Sequence, residues 1–262
     1  MKICHIVDLG LVSYAEAWEL QKRLVTRRKA SLIEDVLLLC EHPHVITLGR
    51  NGKREHLLAS EQVLRQKNVE FHASDRGGDI TYHGPGQIVG YPILNLGEIR
   101  RDVGWYMRSL EEIMIGASAD FGIAAERVAG KTGIWVRASQ HENGMEEKLG
   151  AIGVHLSRWV TSHGFAYNVA TDLRYFDLIV PCGIVGRKAT SLEKVLNRRV
   201  KREEAMQPLT RNFADVFTFE MREMSPMELL QHLTATEAQL QHSSTRNLGQ
   251  SQTAEAFSSQ AD

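Results

Sequence analysis

A chain of 262 residues, 43% hydrophobic and with a formal net charge of −1, can bury a sizeable core but carries no global field for gripping nucleic acid. Its three cysteines, Cys4, Cys40 and Cys182, lie far apart without C-x-x-C spacing, which argues against a disulfide framework or a structural zinc site. The opening MKICHIVDLG lacks the apolar stretch of a signal peptide and no run of about 18 apolar residues occurs, so a cytoplasmic protein with no membrane span is expected.

Tyr14, Ala17, Trp18, Leu24 and Val25 fall on one helical face, and Val36 to Cys40 reads as a buried strand. Ser60 is placed to cap a short helix running to Lys67, with Glu61 near its positive end. Leu110, Ile113, Met114, Ala117 and Phe121 repeat at helical spacing until Gly122 supplies a stop. Ile134 to Val136 reads as a strand, and 138–147 (ASQHENGMEE) as a surface loop or hairpin tip. From Lys148 to Val169 apolar residues alternate in two runs, Ile152/Val154/Leu156 and Phe165/Tyr167/Val169. This predicts a long antiparallel pair turning at Ser162-His163-Gly164. Ala151 and Gly153 leave room on one face, either for a packed helix, which pattern alone favours, or for a pocket floor. Val216 to Met221 reads as a strand and Pro226 to Gln239 as a helix. Residues 1–240 are expected to form one folded domain and 241–262 a polar, disordered tail. Mixed strands and helices without regular βαβ alternation indicate an α+β fold.

Several motifs fail on their spacing. Gly130-Lys131-Thr132 resembles the end of a phosphate loop, but Ala125 stands where its first glycine belongs and an IWV strand follows. Gly84, Gly86 and Gly90 miss the dinucleotide spacing. His42 and His44 read as two surface histidines flanking Pro43. Two segments keep their promise. Arg76-Gly-Gly-Asp-Ile-Thr-Tyr-His-Gly-Pro-Gly-Gln87 combines glycines with polar side chains, and such backbone can wrap a ligand and offer N–H groups to an anion. Cys182 sits between Pro181 and Gly183, in a turn that exposes sulfur, whereas Cys4 and Cys40 lie in apolar strand contexts. A cysteine nucleophile needs a nearby cation or base. Lys148, His83, His163 and Arg76 are the candidates, and sequence distance does not choose among them.

With these residues in view, the chain resembles the octanoyl-(acyl carrier protein):protein octanoyltransferases, the lipoate-protein ligase B family. Six ordered blocks carry the resemblance: Glu41 to Arg50, Arg76 to Tyr91, Lys148 to Gly153, His163 to Val169, Pro181 to Ile184, and Thr190 to Leu192, within residues 9 to 220. The resemblance implies the mixed, largely antiparallel sheet with flanking helices shared by biotin and lipoate protein ligases. It implies transfer of an octanoyl group from acyl carrier protein to a lysine of a lipoyl domain, in 2-oxoacid dehydrogenase complexes and the glycine cleavage H protein. It also implies a Cys182 thioester intermediate, with Lys148 lowering the thiol pKa. The acyl site would be lined by Arg76, Gly77, Gly78, Asp79, Ile80, Thr81, Tyr82 and His83, by Ala151, Ile152 and Gly153, and by Gly164, Phe165 and Ala166. No cofactor and no metal is expected.

A thioester is already activated and its conversion to an amide runs downhill, so no nucleotide is required. The acceptor amine must be neutral to attack; Lys148, ahead of His83, is the base this reading favours. Acyl carrier proteins are acidic, and Arg27-Arg28-Lys29 and the 198–202 run (RRVKR) are candidate docking rims, though such a run is more often just a solvated helix face.

Overall fold

The computed structural model describes residues 1–137, 146–180 and 188–237. Cys182, most of the 138–147 loop, and the 241–262 tail therefore lie outside the described residues. In chain order the elements are β1 (Lys2–Leu11), α1 (Tyr14–Lys29), β2 (Asp35–Glu41), β3 (Val45–Leu48), α2 (Glu61–Gln66), β4 (Glu70–Ala73), β5 (Ile80–His83), β6 (Gln87–Ile93), α3 (Val103–Ala119), β7 (Ala125–Val128), β8 (Lys131–Arg137), β9 (Glu146–Ser157), β10 (Val160–Asn168), α4 (Leu192–Leu196), α5 (Arg202–Phe217), β11 (Phe219–Glu223) and α6 (Pro226–Ala235). Short 3-10 turns cover Arg54–His56 and Leu173–Leu178. No helix among the described residues is long and apolar enough to cross a membrane.

Eight strands form one sheet in the order β11-β1-β2-β6-β10-β9-β8-β7. Only the β11-β1 and β1-β2 pairs are parallel. The other pairs are antiparallel, so the sheet is mixed and largely antiparallel, as expected. Period-two alternation sends side chains to opposite faces. Leu37, Leu39, Ile88, Phe165 and Tyr167 join one core with Leu110, Ile113 and Met114 of α3 and Leu209 and Phe213 of α5. Val36, Leu38, Cys40, Val89, Tyr91 and Ala166 join a second with Ala17 and Leu24 of α1 and Leu229 and Leu233 of α6. Helices thus cover both faces, an α/β sandwich. A small sheet, β4-β3-β5, packs Ile46, Ile80 and Tyr82 beside Leu64 and Ile179.

Helix boundaries follow their caps. Ser60 accepts from Val63 N at the start of α2, and Gly122 takes φ +72 just past α3. Several sequence readings need correction. The β9-β10 turn lies at Arg158-Trp159, both left-handed (φ 50 and 65), and Ser162-His163-Gly164 is interior strand. His163 alone adopts φ 54 there, which bends β10 without reversing it. Val216 and Phe217 finish α5, because the left-handed Thr218 ends that helix before the strand begins. The last helix runs over Pro226–Ala235 with Thr236 at its cap, and residues 238–239 of the expected helix lie outside the described residues.

His42 is not a surface residue. It is buried, with Nδ1 2.7 Å from Val12 O and Nε2 2.7 Å from Tyr91 Oη. Nor do Arg27 and Arg28 form a free rim. Arg27 donates to Leu233 O, while Arg28 donates to Asp35 and Glu98, so both spend their charge inside the fold. Arg198 and Arg202 are likewise paired, with Glu204 and Asp8.

Candidate active site

The glycines show how the backbone makes room. A Cβ on Gly150 would meet Met114 Sδ at 2.6 Å, so close helix packing falls at 150. One on Gly153 would meet Gly77 O at 2.8 Å, so there the wall laid on the strand is the Arg76-Gly77-Gly78 segment. Gly77 N also donates to Val154 O at 2.8 Å. Gly164 faces Gly90 O too closely for any side chain. The pocket-floor reading therefore holds at 153, while α3 packs on the opposite face of the strand at 150.

Between this wall and the β9-β10 floor opens a cavity of about 600 Å³. Arg76, Gly77, Gly78, Asp79, Ile80, Thr81 and His83 line one side; Ala151, Ile152, Gly153, Gly164, Phe165 and Ala166 line another, and Lys148 also contributes. Tyr82 does not line it. Strand alternation turns Tyr82 into the small-sheet core, where its hydroxyl lies 2.8 Å from His44 Nδ1. Sequence reading missed His56, Trp135, Phe176, Lys188 and Ala189 as lining residues. None sits in a glycine-rich or cysteine-bearing motif, so a single sequence holds no signal for them. The 130–132 segment, dismissed as a phosphate loop, ends the β7-β8 turn at Gly130 and opens β8, and it lines the cavity.

Arg76 is buried and holds the wall in place. Its Nε donates to Thr47 Oγ1 at 3.0 Å, Nη2 to Thr47 O at 2.7 Å, and Nη1 to Gly77 O at 3.1 Å. His83 donates from Nδ1 to Gln87 Oε1 at 2.7 Å. Gln87 Nε2 donates to Asn168 Oδ1 at 2.8 Å, Asn168 Nδ2 to Thr190 O at 2.9 Å, and Thr190 N to Lys148 O at 2.9 Å. One polar chain thus runs from the glycine-rich wall to the strand bearing Lys148. Burial, with His42 nearby, pushes the His83 imidazole down to about 3, so it is neutral at physiological pH.

Lys148 Nζ stands 4.7 Å from the Trp135 ring centroid, an arrangement that suits an ammonium. The Lys148 backbone N–H donates to Lys188 O at 3.0 Å. Lys131, Lys188 and Arg76 also line the cavity, against the one carboxylate Asp79 among the described lining residues. Such a bias favours a thiolate or a developing oxyanion. The segment that carries Cys182 leaves and rejoins the described chain beside this cavity. Val180 N donates to His56 O at 2.8 Å on one side, and Lys188 and Ala189 line the cavity on the other. Cys4 and Cys40 are buried in strands, and burial pushes both thiols up, so neither can act as a thiolate. Among the described residues, no cluster of three or more potential ligands for a metal occurs.

At the edge of the floor, His163 Nε2 donates to Asp75 Oδ1 at 2.7 Å. This bond, ahead of the smaller charge effects, lowers Asp75 to about 2 from an ordinary 3.8. A depressed carboxylate stabilises the fold above its unfolded value and loses that contribution as pH falls through its folded one. Thermal melts of Asp75→Asn should therefore lose less stability than wild type between about pH 4 and pH 2. Parallel Tm-versus-pH curves would contradict the pairing.

Residues 13–214 match the lipoyl protein ligase A/B catalytic domain family. An octanoyltransferase of Solibacter usitatus is 51% identical over 221 residues, covering 84% of this chain and 96% of the relative. One of Koribacter versatilis is 49% identical over 215 residues, covering 81% and 84%. Among solved structures, the bi-partite lipoate protein ligase system of Thermoplasma acidophilum superposes with a TM-score of 0.69 at 14% identity, covering 90% of this chain and 92% of that one, which shows a shared fold.

Proposed function

The chain belongs to the lipoyl protein ligase A/B catalytic domain family, and on that premise we propose that it carries octanoyl from octanoyl-acyl carrier protein to a lipoyl-domain lysine through a thioester on Cys182. It is an octanoyltransferase, an acyltransferase of protein lipoylation. The observation that carries the covalent route is the cation-lined cavity beside which the Cys182 segment leaves and rejoins the described chain. Val180 is two residues before Cys182, so their Cα atoms are at most about 7 Å apart. Lys148, on the same cavity, is the cation assigned to the thiolate.

In the first half-reaction Cys182 sulfur attacks the carrier thioester, and the carrier's phosphopantetheine thiolate leaves. In the second a lysine amine attacks the enzyme thioester, an amide forms, and the Cys182 thiolate is regenerated. Splitting the transfer lets one bulky carrier depart before the other arrives. In this reading the octanoyl chain is assigned to the lining of Ile152, Phe165 and Ala166, beside the Arg76–Gly78 wall. The acceptors are lipoyl domains of 2-oxoacid dehydrogenase complexes and the glycine cleavage H protein. The setting is the cytoplasm, where free thiols persist. Catalysis belongs to residues 1–240.

Lys148→Ala should slow alkylation of Cys182 at neutral pH and move its alkylation–pH profile upward, because an ammonium near a thiol favours the thiolate. An unchanged profile would reject Lys148 as that cation. The rival reading is an ATP-dependent ligase of the same fold, since lipoate-protein ligase A with bound ATP shares it (TM-score 0.69, 14% identity). Transfer from octanoyl-carrier to a lipoyl domain should proceed at full rate without nucleotide. A requirement for ATP would select the rival.

A further inference from the structure

The basic runs at 27–29 and 198–202 are partly spent in ion pairs, of Arg28 with Asp35, Arg198 with Glu204 and Arg202 with Asp8. Arg50 and Lys53 differ. Both are exposed, and neither makes an ion pair or a side-chain hydrogen bond among the described residues.

The fold sets these two cations on the lip of the cavity. Gly49 N donates to Asp79 O, Arg50 N to Arg76 O and Asn51 N to Gly78 O, so residues 49–51 run alongside the glycine-rich wall. Asn51 and His56 line the cavity, and the exposed Arg50 and Lys53 stand beside them in the chain. Arg54 is turned elsewhere, its guanidinium 4.4 Å from the Phe71 ring centroid. Glu55 is the one carboxylate of the 50–56 segment.

The positive character continues around the opening. Burial lowers the His155 imidazole against the pull of Asp75, and Arg50 and Lys29 add to the lowering, so both cations lie near that end of β9. On the Lys148 side, Lys188 is exposed, lines the cavity and has no ion pair among the described residues. Unpaired surface cations add little to the stability of a fold, whereas across an interface they steer encounter and fix register.

We propose that the Arg50–Lys53 lip is a docking surface for an acidic protein that delivers the acyl group, the octanoyl-acyl carrier protein. The inference rests on the carrier as donor in the reading above. The donor suits this opening better than the acceptor does. Its acyl group travels on an arm whose phosphodiester is an anion, whereas an acceptor lysine arrives as a cation at neutral pH and meets Lys131, Lys148 and Lys188. The carrier's acidic face pairs with Arg50 and Lys53 while the arm enters the cavity.

Steady-state transfer to a lipoyl domain, with carrier and lipoyl domain varied in turn, tests this. In R50E/K53E the KM for octanoyl-carrier should rise about 10-fold or more at low salt, with kcat within about twofold of wild type. R50Q/K53Q should fall between the two. The KM for the lipoyl domain should not move, nor should kcat/KM with octanoyl-pantetheine, a donor without carrier protein or phosphate. Raising salt from about 50 to about 300 mM should lower kcat/KM for the carrier in wild type and do so far less in R50E/K53E. R199E/K201E reverses two exposed, unpaired cations of the other basic run and should leave every value at wild type. An unmoved carrier KM in R50E/K53E overturns the inference. So does a rise confined to the lipoyl domain, which makes this the acceptor's surface, or an equal loss with octanoyl-pantetheine, which marks damage to the cavity. A wild-type enzyme that takes nothing from octanoyl-carrier overturns the carrier reading, and this inference with it.

Discussion

Cys182→Ala is expected to lose octanoyl transfer by on the order of 10⁴-fold or more while melting at the wild-type temperature, because it removes the nucleophile on which both half-reactions depend. In free-energy terms that is about 5.5 kcal/mol or more of barrier. No other cysteine can take over. Cys4 and Cys40 are both 0% exposed, lie within β1 and β2, and have thiols that burial holds protonated. Steady-state transfer to a lipoyl domain, with a thermal melt on the same sample, checks both halves of the expectation. Retention of more than a few per cent of activity would mean that acyl transfer does not pass through this sulfur.

Arg76→Met is expected to destabilise the fold by about 3–5 kcal/mol and to lower activity even where the protein remains folded. The guanidinium is 7% exposed and donates to both Thr47 O and Thr47 Oγ1, on the neighbouring β3. A thioether of similar reach fills the space but leaves those acceptors without the donor. The same side chain props the Gly77-Gly78 wall through Gly77 O and packs at Gly153, where a Cβ would meet Arg76 Cδ at 3.2 Å. Arg76→Lys should not rescue, since one ammonium cannot copy the planar fork that spans Thr47 and Gly77. Denaturant midpoints of the three proteins decide this. A lysine variant with wild-type stability would show that charge, rather than the fork, holds the wall.

The strands were legible because burial marks them: a strand covered on both faces reads as a continuous apolar run, as Val36 to Cys40 does, and a strand with a more open face reads as alternation, as Ile152 to Leu156 does. Ser60 and Gly122 marked helix ends because a cap and a left-handed stop each demand particular residue types. The Arg158-Trp159 turn escaped for the converse reason. Arginine and tryptophan seldom adopt positive φ, and sheet pairing on both sides holds them there. His42 looked like a surface residue because Pro43 and charged neighbours surround it, yet its ring fills the space between Val12 and Tyr91. The basic run at Arg27-Arg28 misled because nothing local announces Asp35 and Glu98 as partners.

At the site, the glycine-rich wall could be read from its own residues, whereas Lys148 was singled out among the candidate cations by the family resemblance. Tyr82 was placed with its neighbours because a motif is contiguous, whereas a strand sends alternate residues to opposite sides. Gln87, Asn168 and Thr190 are far apart in the chain, and only the register of β6 against β10 brings the first two together. His56 sits in a polar stretch, and what distinguishes it is the Asp79 contact and the stitching to Val180, both of them tertiary.

Intact mass spectrometry of the wild-type enzyme after incubation with octanoyl-acyl carrier protein, in the absence of any nucleotide, tests the covalent route most directly. The predicted result is a single octanoyl adduct that peptide mapping places on Cys182 and that disappears when a lipoyl domain is added and becomes octanoylated. Transfer to the lipoyl domain with no adduct at any time, or an adduct confined to a different residue, would contradict it.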